Sequence, residues 1–166
     1  MATRLITIAF GLLLATTSTF SQSAPVQKLS PDDYMEINNL YARYTRAADM
    51  GGAGDGSDWA NCFTPDGAFG NTTGHEALKK IITNFHKNTL QKMGWSSRHT
   101  YTSPLITITP EGVKGSVYAL VYNVTAKPPF VDHSGVYEDW LVKTPDGWRF
   151  KKRVFKTSQT FKPSLP

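Results

Sequence analysis

The sequence contains very little cysteine and only moderate charge. Cys62 is the single cysteine among 166 residues, which excludes an intrachain disulfide framework and a cysteine-clustered metal site. Charged residues make up 19% of the chain and hydrophobic residues 40%, a balance that excludes a disordered, collagenous or coiled-coil protein. The length predicts one domain whose core needs no metal or disulfide to support it.

Long hydrophobic runs are also scarce. The run at residues 5–15 (LITIAFGLLLA) is too short to span a bilayer, which takes about 20 apolar residues. It follows Arg4 and precedes small and polar residues, the pattern of a secretory signal. We therefore predict a signal peptide over residues 1–23, a domain over 24–160 and a loose tail over 161–166. The mature chain would be secreted or periplasmic and free of the membrane; an uncleaved N-terminal anchor is the alternative.

In an oxidising compartment an unpaired cysteine is expected to be buried or to pair with another chain, and the apolar context of Cys62 favours burial. The histidines show no metal-ligand spacing, so the sequence predicts neither a metal nor a cofactor. The net charge of +5 is modest and no RNA-binding motif or basic amphipathic helix is present, which argues against nucleic-acid and membrane-surface partners.

Helix signals occupy the first half of the domain. Ser30 is a candidate cap, followed by proline and two acidic residues, so a helix is predicted from here to about Ala48. Apolar and aromatic residues recur along it at spacings of three and four. A short second helix is predicted over 58–63 and a third over 74–90, with Gly94 ending it.

The second half is typical of strands. Alternating patterns separated by short Pro/Gly turns predict strands over 98–109, 113–126, 134–143 and 148–161, joined as an antiparallel meander. Because helices precede strands instead of alternating with them, the class is α+β. We expect three N-terminal helices packed on a strongly curved antiparallel sheet, forming a cone whose unfilled interior takes a small apolar organic ligand.

Four stretches, in this order, match a family pattern. They are Ile37-x-x-Leu40-Tyr41-x-x-Tyr44-x-x-x-x-Asp49; Trp59-x-x-Cys62-Phe63-x-x-Asp66-Gly67; Arg98-His99 leading to Ser103-Pro104-Leu105-Ile106; and Gly135-Val136-Tyr137-Glu138-Asp139 followed by Asp146 to Phe150 and Arg153. The set resembles the SnoaL-like branch of the NTF2-like superfamily, which includes scytalone dehydratase and bile-acid 7α-dehydratase. The resemblance implies the NTF2-like cone and a homodimer through the outer sheet face.

The resemblance also implies a catalytic group. His99 would be a general acid/base facing Asp49, which would orient it, and Tyr44 would correspond to a catalytic tyrosine of the bile-acid enzyme. An imidazole takes and returns protons near neutral pH, which suits the role. Structural alternatives exist: Asp49 as a helix-end residue, His99 as a polar edge-strand residue and Tyr44 as part of the core.

Substrate-binding residues are predicted at Tyr41, Tyr101, Tyr122, Asn123 and Arg153. Tyr101 shares a face with His99, whereas the choice between Tyr122 and Asn123 depends on strand register. The related dehydratases have a His or an Asp on that strand, and its absence here weakens the dehydratase interpretation. Some relatives bind an anionic group through an arginine near position 153, but we favour a solvated strand there because lysines surround it.

These residues predict a cofactor-free lyase or isomerase, dehydratase- or cyclase-like, acting on a small, mostly apolar carbonyl or hydroxyl compound through a His–Asp pair. A non-catalytic secreted protein that binds a small ligand in the same pocket is the alternative, and a structural dimerisation module is a third. The fold hosts both catalytic and non-catalytic members.

Overall fold

The computed structural model describes residues 28–50 and 54–158. The predicted signal peptide and C-terminal tail lie outside these ranges. Within them, no helix is long and apolar enough to cross a membrane.

Helix α1 (Pro31–Met50) begins where the capping signal predicts. The backbone N–H of Asp33 donates to Ser30 Oγ, and the backbone N–H of Ser30 donates back to the Asp33 carboxylate at 2.8 Å. The same carboxylate accepts hydrogen bonds from Lys143 and from the indole of Trp148. These bonds, that of Lys143 foremost, lower the pKa of Asp33 well below its usual range. One carboxylate therefore caps the helix and ties it to the sheet.

The second helix is shorter than the sequence predicts, and the third changes its geometry before it ends. Helix α2 (Ser57–Ala60) stops before Phe63, which begins a strand. Helix α3 (His75–Phe85) continues as a π-helical turn (His86–Leu90) and a last short turn, α4 (Gln91–Met93). Gly94, with a φ of 64°, ends this segment in the left-handed region that glycine adopts without strain, as predicted.

Within the described ranges, six strands form one curved sheet. They are β1 (Phe63–Phe69), β2 (Thr72–Thr73), β3 (Ser97–Thr109), β4 (Gly112–Asn123), β5 (Phe130–Thr144) and β6 (Gly147–Thr157), in the spatial order β2-β1-β6-β5-β4-β3. The predicted meander is confirmed, since β3 to β6 pair antiparallel in sequence order.

Strand β1 departs from the antiparallel pattern of the meander. It pairs with β6 in parallel, and residues 65–67 lie inside it at a register shift between Phe63 and Ala68. A hairpin turn cannot join parallel strands, and β1 and β6 are instead connected through the intervening helices and strands.

The core lies between the inner face of the sheet and α1, α2 and α3. Leu40, Phe63 and Phe150 are fully buried there. Cys62 is 3% exposed, and burial raises the pKa of its thiol to about 11, so the predicted burial is confirmed. An α+β cone with helices packed on a curved sheet is thus the architecture of the described chain.

Candidate active site

Asp49 lies in the last turn of α1, opposite the start of edge strand β3. Its carboxylate accepts the backbone N–H of His99 at 3.2 and 3.1 Å and the hydroxyl of Ser97 at 3.3 Å. These donors come from the strand, so they hold the carboxylate against β3 across a separation of about fifty residues. A carboxylate that accepts several hydrogen bonds has a fixed orientation, which an exposed carboxylate lacks.

The imidazole of His99 completes the contact. His99 Nδ1 lies 2.6 Å from Asp49 Oδ1, and both side chains are 10% exposed. Because the carboxylate oxygen accepts, Nδ1 carries the proton in this contact. Nε2 is then left without a proton, and its lone pair can accept one. The structure thus brings the predicted pair together.

His99 borders a cleft of about 340 Å³ between α1 and β3. The lining is mixed, with aromatic, aliphatic and small polar side chains: Asn38, Tyr41, Ala42, Thr45, His99, Thr100, Tyr101, Pro104 and Val117. Two of the predicted binding residues, Tyr41 and Tyr101, are therefore beside His99. A cleft of this size and character suits a small, largely apolar molecule.

The two tyrosines border the cleft with their rings and keep their hydroxyls inside the protein. The Tyr41 hydroxyl donates to Asp139 Oδ2 at 2.9 Å. The Tyr101 hydroxyl is buried beside that of Tyr137. Burial raises the pKa of both phenols that border the cleft, so each stays protonated.

Arg153 is fully buried, so our expectation of a solvated strand is wrong for this residue. Register explains the difference: Arg153 pairs with Asp139 on the inner face, whereas Lys152 pairs with Trp140 on the outer face. The Arg153 guanidinium Nε lies 3.4 Å from Asp139 Oδ1. It also packs against five aromatic rings, the nearest being Tyr137 at 3.9 Å.

The burial of Arg153 and Asp139 affects both charges. Burial raises the pKa of Asp139 to about 6, with Arg153 opposing the rise. Burial by itself would lower the pKa of Arg153. The Asp139 carboxylate and the surrounding tyrosines raise it by more than burial lowers it, so the guanidinium remains charged. Arg153 does not border the cleft with His99. Its position behind Tyr41 and Tyr101 makes it part of the wall that supports the cleft.

Three other predicted site residues lie elsewhere. Tyr44 is 1% exposed, sits in the aromatic core against Trp59 and Phe150, and is not part of the cleft lining. Burial raises the pKa of Tyr44 well above its usual value. The structure thus agrees with the core alternative for Tyr44, not with a place beside His99.

Register decides the other two. Tyr122 pairs with Arg98 on the outer face, away from His99, so it is not a pocket residue. Asn123 faces inward and is buried, but its side-chain oxygen accepts from the backbone of Thr125 and Ala126 and closes the turn after β4. It is a turn residue, with its oxygen already engaged.

Sequence reasoning missed two residues that touch this region. The strand pattern could have identified Asp139, because an acidic residue at an inward position between Tyr137 and Leu141 needs a buried partner. The pattern for His86 is weaker: this residue follows Leu78 and Ile82 at intervals of four, which places it on the buried side of α3. Within the described ranges, no three His, Cys, Asp or Glu side chains are grouped to hold a metal ion.

A larger cleft, of about 600 Å³, lies on another side of α1. It is bordered by Arg43, Arg46, Trp59 and Arg149, and its lining residues Met50 and Gly54 flank residues 51–53, which lie outside the described ranges. None of the predicted site residues borders it. We therefore place the candidate site in the smaller cleft, where a titratable pair is present.

Comparison with known proteins agrees with this architecture. The family model described as a SnoaL-like domain matches residues 30–154. A comparison with curated proteins gives no match.

Solved structures give further likenesses. A variant of Rv3472, a protein of unknown function from Mycobacterium tuberculosis, is 27% identical, with a TM-score of 0.63 over 76% of this chain and 77% of that one. A protein from Catenulispora acidiphila in complex with S-DNPA is 26% identical, with a TM-score of 0.66 over 78% and 96%. An NTF2-like protein with a cystatin-like fold from Novosphingobium aromaticivorans is 20% identical, with a TM-score of 0.65 over 76% and 82%, a likeness of fold alone.

Proposed function

The chain belongs to the SnoaL-like family of the NTF2-like superfamily, whose members include polyketide cyclases and dehydratases, and from this premise we propose that it is a cofactor-free lyase or isomerase. Its substrate is a small, mostly apolar carbonyl or hydroxyl compound. The observation that carries the proposal is the 2.6 Å contact between His99 Nδ1 and Asp49 Oδ1 at the edge of a cleft.

The proposed chemistry is proton transfer at His99 Nε2. The imidazole removes a proton from the carbon next to a carbonyl, and the electron pair of that C–H bond moves into an enolate. In an isomerase the same proton returns at another carbon. In a lyase it goes to a departing hydroxyl on the neighbouring carbon, which leaves as water while the double bond forms. In both cases the histidine is regenerated.

Asp49 assists in two ways. It holds the Nδ1–H tautomer, which keeps Nε2 available as the base, and its negative charge stabilises the imidazolium that forms during the transfer. The carboxylate is itself fixed by Ser97 and the His99 backbone, so little reorganisation is needed. Preorganised charge of this kind acts most strongly where water is largely excluded, and both side chains are 10% exposed.

Tyr101 forms part of the wall of the binding space. Its ring borders the cleft, whereas its hydroxyl is buried beside Tyr137. Tyr41, Val117 and Pro104 surround the remaining space, which favours an apolar body carrying few polar groups. The S-DNPA complex of the Catenulispora acidiphila protein supports binding of a small molecule by this fold.

The test uses deuterium because it does not require the natural substrate. The protein is incubated in D₂O with a panel of small apolar ketones and hydroxyketones, and NMR follows deuterium incorporation next to the carbonyl and loss of water. We expect catalysed exchange or elimination with at least one compound, and its loss in His99→Gln. Binding of compounds with no exchange in the wild type would contradict the proposal and favour a ligand carrier.

We also propose that the outer sheet face pairs with a second copy of the chain. Leu105, Tyr118 and Val131 lie on this face by register and are 53%, 49% and 44% exposed. Exposed apolar side chains grouped on one surface favour association. Sedimentation equilibrium should find a dimer that Tyr118→Lys dissociates and that Tyr34→Lys, on α1, leaves intact. A monomeric wild type would contradict this proposal.

A further inference from the structure

His86 joins the π-helical turn after α3 to the end of α1. It is 6% exposed, and its Nε2 lies 2.6 Å from the backbone carbonyl oxygen of Ala48. A carbonyl oxygen only accepts, so Nε2 carries a proton and donates it. The contact spans 38 residues of sequence and is made entirely inside the protein.

Ala48 lies in the last described turn of α1, and carbonyls near the C-terminal end of a helix accept hydrogen bonds from groups outside the helix. The last turn of α1 contains no basic side chain of its own. An imidazole from a different helix therefore caps this end of α1.

The position of the cap connects it to the candidate site. The Ala48 carbonyl is part of the peptide group that leads into Asp49, so fixing that carbonyl fixes the backbone from which the Asp49 side chain reaches His99. A small rotation of this peptide would move the carboxylate relative to β3. The 2.6 Å contact between Asp49 and His99 leaves little room for such a movement.

The geometry of the helix also changes at His86. Helix α3 changes from α-helical to π-helical geometry at His86, and π-helical turns are found frequently at functional sites. His86 lies four residues beyond Ile82, on the side of the helix that faces the core. The π-helical turn thus begins at the residue that makes the contact with α1.

We propose that His86 is a positioning residue for the His99–Asp49 pair: it holds the end of α1 so that the Asp49 carboxylate keeps the His99 imidazole in one tautomer and orientation. The proposal rests on the proposed function for its effect on turnover. Its effect on the geometry of the pair does not depend on any substrate.

The experiment compares three variants. His86→Phe keeps a flat ring but cannot donate. His86→Gln places an amide N–H near the position of imidazole Nε2 and should rescue. His75→Phe is the matched control, because His75 lies on the same helix and its Nε2 contacts a different backbone carbonyl, that of Phe63, at 3.1 Å.

Two readouts separate positioning from general stability. The first is the NMR resonance of the His99 Nδ1 proton, which a short bond to a carboxylate shifts far downfield. We expect it to be lost or displaced in His86→Phe and retained in the other two variants. The second is turnover: His86→Phe should lower kcat by roughly 10- to 100-fold with KM little changed, the usual effect of losing an outer contact to a site.

Each outcome bears on the proposal. An unchanged His99 resonance and an unchanged kcat in folded His86→Phe would overturn it, as would equal losses in His75→Phe. If the wild type turns over no compound, the proposed function fails, while the NMR comparison still decides the positioning role. Should His86→Phe not fold, His86→Asn and His86→Gln give the same comparison, since only the longer amide reaches the Ala48 carbonyl.

Discussion

Two histidine–aspartate pairs occur among the described residues, and their contact distances are nearly equal. His99 Nδ1 lies 2.6 Å from Asp49, and His133 Nδ1 lies 2.7 Å from Asp132. The first pair joins the end of α1 to β3, and its side chains are each 10% exposed. The second joins neighbouring residues at the start of β5, with side chains 44% and 31% exposed.

The comparison shows that contact distance alone does not make a site. Solvent screens the Asp132–His133 pair, and exposed pairs contribute at most about 1 kcal/mol to stability. The Asp49 carboxylate has additional donors on Ser97 and the His99 backbone, which fix its direction. His99 also borders a cleft whose mixed lining includes the rings of Tyr41 and Tyr101.

The largest difference is expected in turnover when each histidine is replaced. His99→Gln should lower kcat by roughly 10²–10⁴-fold, the usual contribution of one positioned proton-transfer group. His133→Gln, an identical change at the exposed pair, should stay within about twofold of wild type. Steady-state kinetics on an active compound from the ketone panel measures both.

The contrary result would be equal losses, or none, in the two variants. In that case the buried pair is not the acid/base, and the chemistry must be sought at another side chain. Circular dichroism and thermal unfolding of both variants show whether the folded protein is being compared.

The second prediction concerns the two carboxylates. Asp49→Asn should lower kcat by about 10²-fold or more, because the new amide N–H can face Nδ1 and favour the wrong tautomer. Combined with His99→Gln it should add little further loss, since residues acting as one unit are strongly non-additive. Asp132→Asn, the matched change, should leave kcat unaltered. Multiplying losses in the double variant would argue that Asp49 and His99 act independently.

A third prediction extends the comparison to a carboxylate buried even more deeply. The pKa of Asp139 is raised to about 6, above the usual 3.8, so the native state holds this proton more tightly than the unfolded chain does. Its contribution to stability is therefore fully present below pH 3.8 and is lost as the pH rises through 6. The loss is on the order of 3 kcal/mol.

Urea unfolding at several pH values between 4 and 7 measures how the free energy of unfolding changes with pH, and the slope of that dependence is the quantity to compare. We expect Asp139→Asn to have a flatter slope than wild type over that window, whatever its absolute stability. The exposed control, Asp132→Asn, should keep the wild-type slope. If wild type and Asp139→Asn have the same slope, Asp139 does not titrate between pH 4 and 7.

The smallest effect is expected at the wall of the cleft. Gly115 lies on the inner face of β4, and a Cβ there would sit 2.2 Å from the Tyr41 hydroxyl oxygen. Gly115→Ala should displace that hydroxyl from Asp139, cost about 1–3 kcal/mol of stability and raise KM more than it lowers kcat. Ser116→Ala, one residue along on the outer face, is the control. Unchanged stability and KM would mean that Tyr41 has another rotamer available at no cost.

Much of the candidate site was accessible from sequence because its signals are local or follow the family pattern. The position of Asp49 at the end of a capped amphipathic helix, and of His99 at the start of a long strand, both follow from residues nearby. The resemblance then paired them, and the structure brings them into contact. Spacing alone had no means of doing so across about fifty residues.

Failures of prediction occurred where strand alternation was interrupted or where partners came from distant segments. Register shifts between Val121 and Tyr122 and between Trp140 and Leu141 mean that inward and outward positions cannot be counted through a whole strand. The lysines next to Arg153 in sequence predict a solvated side chain, yet its burial depends on Asp139 across the sheet and on rings contributed by α1.

Short-range periodicity, capping and turn residues are enough to predict the α+β class, the helix start at Ser30, the four-strand meander and the burial of Cys62. Contacts between distant segments are needed to show that Tyr41 and Tyr101 border the cleft, that Tyr122 faces away from it and that His86 reaches Ala48. These outcomes depend on how the curved sheet closes over α1. That closure is set by bulges and by contacts between segments far apart in the chain, whose energies no local pattern contains.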